Sequence, residues 1–425
     1  MRPTLASTPA FAGEGYVCNA PHSRSVRGDG VCDLTVPTYD AIILGAGAAG
    51  LMCAAVSGQR GRRILLVDHA DEPGKKIIIS GGGRCNFTNM HTAADRYLSA
   101  NPHFAKSALG RYTAADFLAL VESYDIAWHE KTLGQLFCDG SAKQIVAMLI
   151  DECAKGRVDW SLGRSVTAVA HDGDDYRVSI DGREVTAPAL VIATGGPSIP
   201  KMGATGFAYD LARQFGLKVV EPRPALVPLT LGGDETLFRS LSGVAAEVVA
   251  SCGKTAFREA ALFTHRGLSG PAILQVSSYW RGGQPVGIDF LPDRDAGWLQ
   301  AAKRATPRAT VRKTLAGVLP DRLAETLTER LGLAGELSAQ TDRKLADAER
   351  ALSHWNFTPN GSEGYAKAEV TAGGISTAEL SSQTMQAKRA KNLYAVGEAV
   401  DVTGWLGGYN FQWAWASGWA AGQVL

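Results

Sequence analysis

Two apolar runs in the first part of the chain predict two buried strands that flank one helix. The first run follows Tyr39 and ends at Leu44, and the second follows Arg63 and ends at Asp68. Small residues fill most of the segment between the runs and predict a helix over Ala48–Gln59. Because the runs are apolar throughout rather than alternating, each is expected to form a buried strand.

The first strand leads directly into a G-x-G-x-x-G sequence over residues 45–50, the spacing of a dinucleotide-binding turn. Gly45 makes the tight turn, Gly47 lets the backbone approach a pyrophosphate, and Gly50 lets the helix pack close to the strand. The helix N-terminus then offers N–H groups to the phosphates. Asp68, 18 residues after Gly50, can accept a hydrogen bond from a ribose 2′-hydroxyl. The flanking strands and the acid argue against the alternative, a glycine-rich turn in an unrelated α/β domain.

A second strand-then-glycine pattern lies near the other end of the chain. Residues 392–401 form an apolar run that enters Gly397 and Glu398 and reaches Asp401, and a helix-like run over residues 409–424 follows. A flavin needs a carboxylate for its ribityl or ribose hydroxyls. It also gains from a helix N-terminus aimed at its isoalloxazine, because a positive dipole end stabilises negative charge on the reduced ring.

Residues 190–196 supply a third strand that ends in glycine. This segment resembles the Ala-Thr-Gly segment of two-dinucleotide-binding-fold flavoproteins, and it would converge with the segments near residues 45 and 398 on one extended cofactor. A simple NAD-dependent dehydrogenase has no need of the last two segments. The sequence therefore predicts FAD.

Several further motifs resemble those of one bacterial flavoprotein family. They cover residues 75–89, 262–271, 369–374 and 401–418. The family is often labelled NAD(P)/FAD-dependent oxidoreductase, and it includes bile-acid enone reductases and aminoacetone-oxidase-like proteins. The resemblance extends from about Tyr39 to the end of the sequence, and residues 128–138 and 404–413 are most similar to the enterobacterial-type branch.

For that branch, the resemblance implies reduction of a uridine to dihydrouridine in large-subunit (23S) ribosomal RNA. The chain carries one dinucleotide fingerprint, so NAD(P)H as the reductant must dock transiently near the flavin. Two other readings stay open. One is a small-molecule flavoenzyme, either an enone reductase or an amine oxidase that passes electrons to O₂. The other is a flavin-containing RNA-binding or ribosome-assembly protein whose redox chemistry is vestigial.

The expected fold class is α/β, a Rossmann-type two-dinucleotide-binding-fold flavoprotein with an inserted β-rich, barrel-like domain and a small helical subdomain. Leucines spaced four apart, from Leu315 to Leu327, predict the helical part. Residues 1–38 lack periodicity and are expected to be a disordered or mis-started extension. The domains are expected at residues 39–221 and 365–425 (FAD binding), 222–291 and 355–364 (β-rich), and 292–354 (helical).

The composition argues against several classes of partner. Lys and Arg number 43 against 42 acids, so the overall charge does not indicate nucleic acid. The seven cysteines show no C-x-x-C pair and no metal-ligand spacing, which predicts reduced thiols, a cytoplasmic protein and no metal site. No apolar run reaches the roughly 18 residues of a membrane span, so no membrane partner is expected.

One segment is strongly basic although the whole chain has nearly equal numbers of basic and acidic residues. Five Lys and Arg residues lie within residues 303–313, and no acid lies between Ala301 and Pro320. The run is either a solvated helix face or a patch that binds the phosphates of an RNA substrate.

Reduction of a C=C bond needs a hydride at one carbon and a proton at its neighbour, so a positioned acid is required. The candidates are the thiols of Cys85 and Cys138 and, behind them, His265, His129 and Tyr409. Cys85 gains weight from Arg84 beside it, since a neighbouring cation perturbs the pKa of a thiol. For either cysteine, a small buried hydrophobe is an equally good interpretation.

Residues 80–84 join three glycines to a cation. Three consecutive glycines are costly in conformational entropy unless the backbone must approach something, so N–H groups and Arg84 are expected to face the pyrophosphate or the flavin ring. The residues expected to bind FAD are Gly45, Gly47, Ala48, Ala49, Gly50, Asp68, Lys76, Gly82, Gly83, Arg84, Cys85, Asn86, Val166, Thr194, Gly195, Gly196, Gly397, Glu398, Asp401, Gly407, Gly408, Tyr409 and Asn410.

Overall fold

A computed structural model describes residues 38–425. The prediction of an N-terminal extension rests on residues outside this range. The strands, numbered along the chain, are β1 Ala41–Leu44, β2 Ile64–Asp68, β3 Asn86–Asn89, β4 Tyr97–Leu98, β5 Trp128–Glu130, β6 Gln135–Cys138, β7 Asp159–Leu162, β8 Val166–His171, β9 Tyr176–Ile180, β10 Arg183–Ala187, β11 Ala189–Ile192, β12 Val219–Ala225, β13 Leu229–Thr230, β14 Ala245–Cys252, β15 Thr255–Phe263, β16 Gly267–Ser269, β17 Val286–Asp289, β18 Trp355–Phe357, β19 Gly361–Ser362, β20 Val370–Ile375, β21 Leu393–Ala395 and β22 Thr403–Gly404.

The α-helices of the same range are α1 Ala48–Gln59, α2 Lys75–Ile79, α3 Lys106–Arg111, α4 Ala114–Ser123, α5 Ala142–Lys155, α6 Phe207–Gln214, α7 Pro271–Ser277, α8 Trp298–Ala305, α9 Val311–Ala316, α10 Asp321–Arg330, α11 Asp342–Ser353 and α12 Tyr409–Gly422. Within the described residues, none of these helices has the length and apolar character needed to cross a membrane.

A five-stranded parallel sheet with the order β21-β11-β1-β2-β7 forms the centre of the Rossmann part. Strands β1 and β11 are apolar and buried along their whole length, as is typical of a sheet covered on both faces. The predicted strand-helix-strand unit is confirmed, and α1 has the predicted bounds Ala48–Gln59. The chain moves from β1 to β2 on one side and returns through β11 on the other, so the strand order reverses at β1.

Helix α1 lies between α12 and the end of α5 and contacts both through glycines. A Cβ at Gly418 of α12 would lie 2.4 Å from the carbonyl oxygen of Ala49. On the other side, a Cβ at Gly58 would lie 2.6 Å from the carbonyl oxygen of Gly156. The backbones therefore approach more closely than any side chain would allow, and this close packing fixes the position of α1.

Smaller antiparallel sheets accompany the central one. Strands β8, β9 and β10 form a meander whose turns lie at residues 172–175 and 181–182. Strands β3, β6 and β5 form a second sheet, and β12 pairs with β20. The chain leaves the Rossmann part after β12 and returns to it at β20.

The predicted β-rich insertion is confirmed as a seven-stranded antiparallel sheet with the order β18-β17-β14-β15-β16-β13-β19. Helices α8 to α11 follow β17, where the leucine spacing predicts helices, and Leu315, Leu319, Leu323 and Leu327 are all buried. One cluster of buried apolar side chains fills the Rossmann part, and a second lies between Leu229 and Phe357. Each part therefore has its own core. The exact domain boundaries stay predictions.

Replacing Gly418 by Ala is expected to destabilise the protein, although alanine is the better helix former. The added Cβ meets the Ala49 carbonyl, and overpacking of this kind costs about 1–3 kcal/mol. Gly110 of α3 is a matched control, because no atom lies within 4 Å of a Cβ placed there. Gly110→Ala should stabilise the protein by about 0.5–1 kcal/mol. Chemical unfolding measures both variants, and a Gly418→Ala protein as stable as Gly110→Ala would contradict this packing.

Candidate functional site

Three glycine-containing segments meet at the carboxyl ends of three neighbouring strands. Strand β1 runs into Gly45, β11 into residues 194–196, and β21 into Gly397, and these strands are adjacent in the sheet. Ligands of doubly wound sheets bind outside the carboxyl ends of the strands, where the strand order reverses. The segments that the sequence predicted to converge therefore lie side by side at the edge where a ligand is expected.

The turn after β1 has the geometry that a pyrophosphate requires. Gly45 has a φ of 106°, and a Cβ there would lie 2.5 Å from the carbonyl oxygen of Ala193. A Cβ at Gly50 would lie 1.8 Å from the carbonyl oxygen of Gly45, whereas a Cβ at Gly47 would meet no atom within 4 Å. Packing therefore requires glycine at positions 45 and 50, and Gly47 faces open space that a phosphate can enter.

Helices α1 and α12 both begin without a side-chain cap. Helix α1 begins after Gly47 and α12 after Gly408, and neither residue carries a side chain that accepts first-turn N–H groups. Helix α4, by contrast, has a capping box formed by Thr113 and Asp116. The uncapped N–H groups and the positive dipole ends leave donors for two separate parts of an anionic ligand.

The Asp68 carboxylate links the end of β2 to the glycine turn by hydrogen bonds. Its Oδ2 accepts a hydrogen bond from the Ala46 N–H at 2.6 Å, and its Oδ1 accepts one from the Ala70 N–H at 2.8 Å. The sequence did not indicate this role, and ribose binding by the remaining lone pairs of Asp68 stays a prediction. The Arg164 N–H donates to the Asp68 carbonyl at 3.1 Å, so Val166, two residues further on, lies near this end of β2.

Glu398 is the centre of a hydrogen-bond network. Its Oε2 accepts from Lys76 Nζ at 2.6 Å, and its Oε1 accepts from the Ser198 hydroxyl at 2.8 Å and from the Thr371 N–H at 2.9 Å. The network ties α2, the loop after β11 and strand β20 to the segment after β21. The structure thus brings together Lys76 and Glu398, two predicted cofactor residues, and adds Ser198, which no sequence pattern indicated.

Three buried hydroxyl groups beside this network have no hydrogen-bond partner within the described residues. They belong to Thr194, Tyr209 and Thr371. A Cβ at Gly196 would lie 2.6 Å from the Thr371 hydroxyl and 2.7 Å from the Tyr209 hydroxyl, so these two groups face the same backbone. Buried polar groups are nearly always hydrogen-bonded, so this cluster fits a polar ligand such as the diphosphate or ribityl chain of FAD. Tyr209 lies on α6 outside every motif, so no sequence pattern indicated it.

Residues 80–83 form an irregular turn that only glycines accommodate easily. Gly81, Gly82 and Gly83 have φ values of 56°, 68° and 86°, a region that side chains disfavour. A Cβ at Gly82 would meet no atom within 4 Å, and Arg84 is exposed. The backbone and the guanidinium are therefore open to a ligand, which is compatible with the predicted cofactor contact.

The turn before α12 is held by the side chain of Asn410. Its Oδ1 accepts from the Gly404 N–H at 2.8 Å, and its Nδ2 donates to the Gly404 carbonyl at 3.0 Å. Gly407 and Gly408 have φ values of 109° and 93°, and a Cβ at Gly408 would lie 2.4 Å from the Thr88 carbonyl oxygen. The Asn410 amide is thus used within the protein, and the backbone of the glycine turn remains to face a ligand.

Asp401 and Asn86, two further predicted cofactor residues, also have protein partners. Asp401 is buried, and its Oδ2 accepts from the Ala100 N–H at 2.9 Å. Burial raises the pKa of its carboxyl group. The side-chain amides of Asn86 and Gln135 lie 3.1 Å apart. Each residue therefore positions a loop, and its contact with the cofactor stays a prediction.

The thiols of Cys85 and Cys138 are not activated by a neighbouring cation, which corrects the expectation for Cys85. Both side chains are buried in the core of the Rossmann part. Burial raises the pKa of Cys85 to about 12 and that of Cys138 to about 11. Arg84 is exposed, so water screens its charge. Both thiols are neutral at physiological pH and pack as small apolar groups.

The other candidate acids lie in different parts of the molecule. Tyr409 begins α12 beside the glycine turn, is 6% exposed, and has a pKa raised by burial. His265 is exposed in the turn between β15 and β16 of the insertion. The Nδ1 of His129 on β5 lies 2.6 Å from Oδ1 of Asp139. Among these candidates, Tyr409 adjoins an uncapped helix N-terminus.

A cluster of aromatic and polar side chains joins the start of α12 to the insertion. The Arg96 guanidinium lies 4.4 Å from the centre of the Trp405 ring, and Trp405 Nε1 donates to the Tyr279 hydroxyl at 2.7 Å. Gln275 accepts from the Leu406 N–H at 3.0 Å. Tyr279 and Gln275 come from the insertion, so both parts of the protein line the region beside α12. No motif signals Arg96 or Tyr279, because these contacts join segments far apart in the sequence.

Comparison with known proteins gives matches over most of the chain. The family model described as HI0933-like protein Rossmann domain matches residues 39–424. A ribosomal RNA dihydrouridine synthase of Escherichia coli (strain K12) is 52% identical over 394 residues, which cover 91% of this chain and 98% of that protein. The protein of the same name from Haemophilus influenzae is 45% identical over 387 residues, covering 89% and 96%. A 3-dehydro-bile acid delta(4,6)-reductase of Clostridium scindens is 30% identical over 403 residues, covering 90% and 98%.

Gly47→Ala is expected to weaken FAD binding roughly tenfold, or about 1.4 kcal/mol, without destabilising the apoprotein. The added methyl group enters the open space before α1, where it meets no protein atom within 4 Å. Gly50→Ala places its Cβ 1.8 Å from the Gly45 carbonyl oxygen and should lower both FAD binding and stability. Flavin titration and thermal unfolding of the apoproteins separate the two effects. Wild-type affinity in Gly47→Ala would show that no phosphate lies there.

Proposed function

The chain belongs to the family of HI0933-like proteins with a Rossmann domain, and we propose that it reduces a uridine of large-subunit (23S) ribosomal RNA to dihydrouridine, with NAD(P)H as the reductant. As a member of this family it is an FAD-dependent oxidoreductase. The observation that carries the proposal is the 52% identity to the Escherichia coli ribosomal RNA dihydrouridine synthase, which spans 98% of that protein.

The residues at the sheet edge fit FAD. The Gly47 backbone and the first N–H groups of α1 suit the diphosphate, and the unpartnered hydroxyls of Thr194, Tyr209 and Thr371 suit the polar chain of the cofactor. The N-terminus of α12 suits the flavin end, because its positive dipole end stabilises negative charge. When bound, FAD supplies hydride transfer.

The proton donor in this proposal is Tyr409. A general acid must come within hydrogen-bond reach of the substrate. Cys85 and Cys138 have no exposed surface, whereas Tyr409 keeps 6% of its surface exposed. Tyr409 begins α12 next to the turn predicted to face the flavin. The Tyr409 hydroxyl is protonated at neutral pH, as tyrosine hydroxyls are, and can donate its proton to the carbon beside the one that receives the hydride.

NAD(P)H docks transiently in this proposal. Within residues 38–425, the parallel sheet carries one G-x-G-x-x-G turn, and the other sheets are antiparallel. The described residues therefore offer no second Rossmann domain for a resident nicotinamide. The reductant must approach the flavin through the region that the Rossmann part and the insertion share.

Exposed cations on the helical part of the insertion support an RNA substrate. Arg304, Arg308, Arg312 and Lys313 are exposed, and within the described residues none lies within 4 Å of a carboxylate. Lys303 differs, because its Nζ lies 2.8 Å from Asp342 Oδ1. Unpaired cations are available to RNA phosphates. We accordingly place the protein in the cytoplasm, where bacterial ribosomal RNA is found.

An enone reductase that acts on a small molecule is the second candidate, and the Clostridium scindens reductase at 30% identity favours it. The C5=C6 bond of uracil is conjugated to a carbonyl group, as is the C=C bond of an enone. Both reductions add a hydride and a proton across that bond, so one catalytic arrangement suits either substrate. The substrate itself must therefore distinguish the two candidates.

The test incubates the purified holoenzyme with NADH or NADPH and 23S ribosomal RNA from Escherichia coli cells that lack their own ribosomal RNA dihydrouridine synthase. We expect RNA-dependent oxidation of the nicotinamide and a uridine that gains two hydrogen atoms, measured by mass spectrometry of the digested RNA. Reduction of a bile-acid enone without an RNA product would establish the second candidate. Amine-dependent O₂ consumption would indicate an oxidase, and RNA binding without turnover would indicate an assembly factor.

Tyr409→Phe is expected to slow dihydrouridine formation by roughly 100- to 10,000-fold, the usual contribution of a general acid. FAD content and the rate of flavin reduction by NAD(P)H should stay at wild-type values, because the aromatic ring is retained. Cys138→Ala is the control and should keep the wild-type rate of product formation, since that thiol is buried. Rapid-mixing absorbance of the flavin and product analysis check both variants. Full product formation by Tyr409→Phe would exclude Tyr409 as the donor.

A further inference from the structure

We propose that a basic pocket on the Rossmann part, remote from the cofactor edge, binds a phosphodiester of the RNA substrate. The basic pocket has a volume of about 440 Å³ and is lined by Ser381, Thr384, Gln386, Lys388, Arg389 and Lys391. The inference rests on the proposed function, because it names how that RNA is held. None of these residues belongs to the motifs that indicate FAD.

The cations of the basic pocket lie at the amino end of β21, whereas Gly397 follows the carboxyl end of that strand. The loop before the cations runs antiparallel beside β21, because the Ala387 N–H donates to the Leu393 carbonyl at 2.7 Å and the Ala395 N–H donates to the Met385 carbonyl at 3.1 Å. In a parallel sheet the amino ends of the strands form the edge opposite the ligand edge. A ligand of the basic pocket is therefore separate from FAD.

The charge of the basic pocket selects an anion. Three of residues 388–391 are cations, all of them exposed, in a chain whose net charge is only +1. No acid lines the pocket. The nearest carboxylate contact within the described residues is Asp174 Oδ1, 3.7 Å from Lys391 Nζ, and Asp174 is 95% exposed. Such an exposed pair contributes little, so the positive field is left for a ligand.

The loop that carries these cations is held in a defined conformation. The Ser381 N–H donates to the Gln386 carbonyl at 2.8 Å, and Lys388 Nζ donates to the Ala378 carbonyl at 2.8 Å. Met385 is fully buried, with a φ of 61°, and Asn392 has a φ of 54°. Non-glycine residues in this region cost about 1–3 kcal/mol each and persist only where the surroundings impose them. The basic pocket is thus preorganised rather than a set of free lysines.

The lining of the basic pocket suits a phosphate without its base. Hydroxyl, amide and cationic groups line it, and no aromatic side chain is present on which a base could stack. Contacts to phosphate position a nucleic acid without reading its sequence. The basic pocket would therefore orient an extended RNA across the Rossmann part while the target uridine lies at the flavin end.

The test reverses all three charges, Lys388→Glu, Arg389→Glu and Lys391→Glu, in the FAD-loaded protein. The probe is a 23S ribosomal RNA fragment, and its Kd is measured by filter binding from 50 to 200 mM salt. Each phosphate contact in single-stranded RNA contributes about 0.7 to the slope of log K against log salt, so the variant, which loses the one phosphodiester held in the basic pocket, should lose about 0.7 from the slope. Binding near 100 mM salt should weaken roughly fivefold or more. FAD content should not change, and the thermal midpoint should fall only slightly, through loss of the exposed hydrogen bond from Lys388 Nζ to the Ala378 carbonyl.

The matched control reverses Lys143, Arg157 and Lys254, three exposed cations that have no carboxylate within 4 Å among the described residues. An unchanged salt slope in the pocket variant, or an equal loss of slope in the control variant, would refute the proposal that the basic pocket binds RNA. Wild-type protein that binds the RNA with a pocket-dependent slope but forms no dihydrouridine supports the pocket and refutes the proposed function. If the wild-type protein forms dihydrouridine and the pocket variant binds RNA normally, the proposed function is supported and the basic pocket is refuted.

Discussion

The placement of α1 is the constraint on which the rest of the site depends. Its N-terminus can face a diphosphate only because Gly50 lets it start directly against the carbonyl of Gly45, where a Cβ would lie 1.8 Å from that oxygen. Gly418 of α12 makes the same kind of contact along the side of the helix. Since α12 packs on α1 and starts at its own uncapped glycine turn, one set of close contacts positions both uncapped helix N-termini.

Much of the fold was predictable from local patterns in the sequence. The bounds of α1 and the glycine turn were predictable because the residues that mark them are neighbours in the sequence. The convergence of the segments near Gly45, Thr194 and Gly397 was also predictable, because each directly follows an apolar run and parallel strands share one carboxyl edge. The helices of the insertion were predictable in the same way, from the spacing of leucines.

Side-chain roles in the site were less predictable, because they depend on contacts between distant segments. Glu398 was expected to face a cofactor, and the structure shows it hydrogen-bonded to Lys76 and Ser198, 322 and 200 residues away. Cys85 was expected to respond to the charge of Arg84, yet burial sets its pKa. Burial depends on the folded chain rather than on the residues that are adjacent in the sequence, so no motif predicts it.

We propose that one FAD molecule extends from α1 to α12, with its reactive end beside the insertion. An experimental structure of the FAD-loaded protein tests this placement. We expect the diphosphate within hydrogen-bond distance, about 3 Å, of the Gly47 backbone and the isoalloxazine next to Gly407 and Gly408. An isoalloxazine bound away from α12, or a diphosphate that does not contact the start of α1, would contradict it.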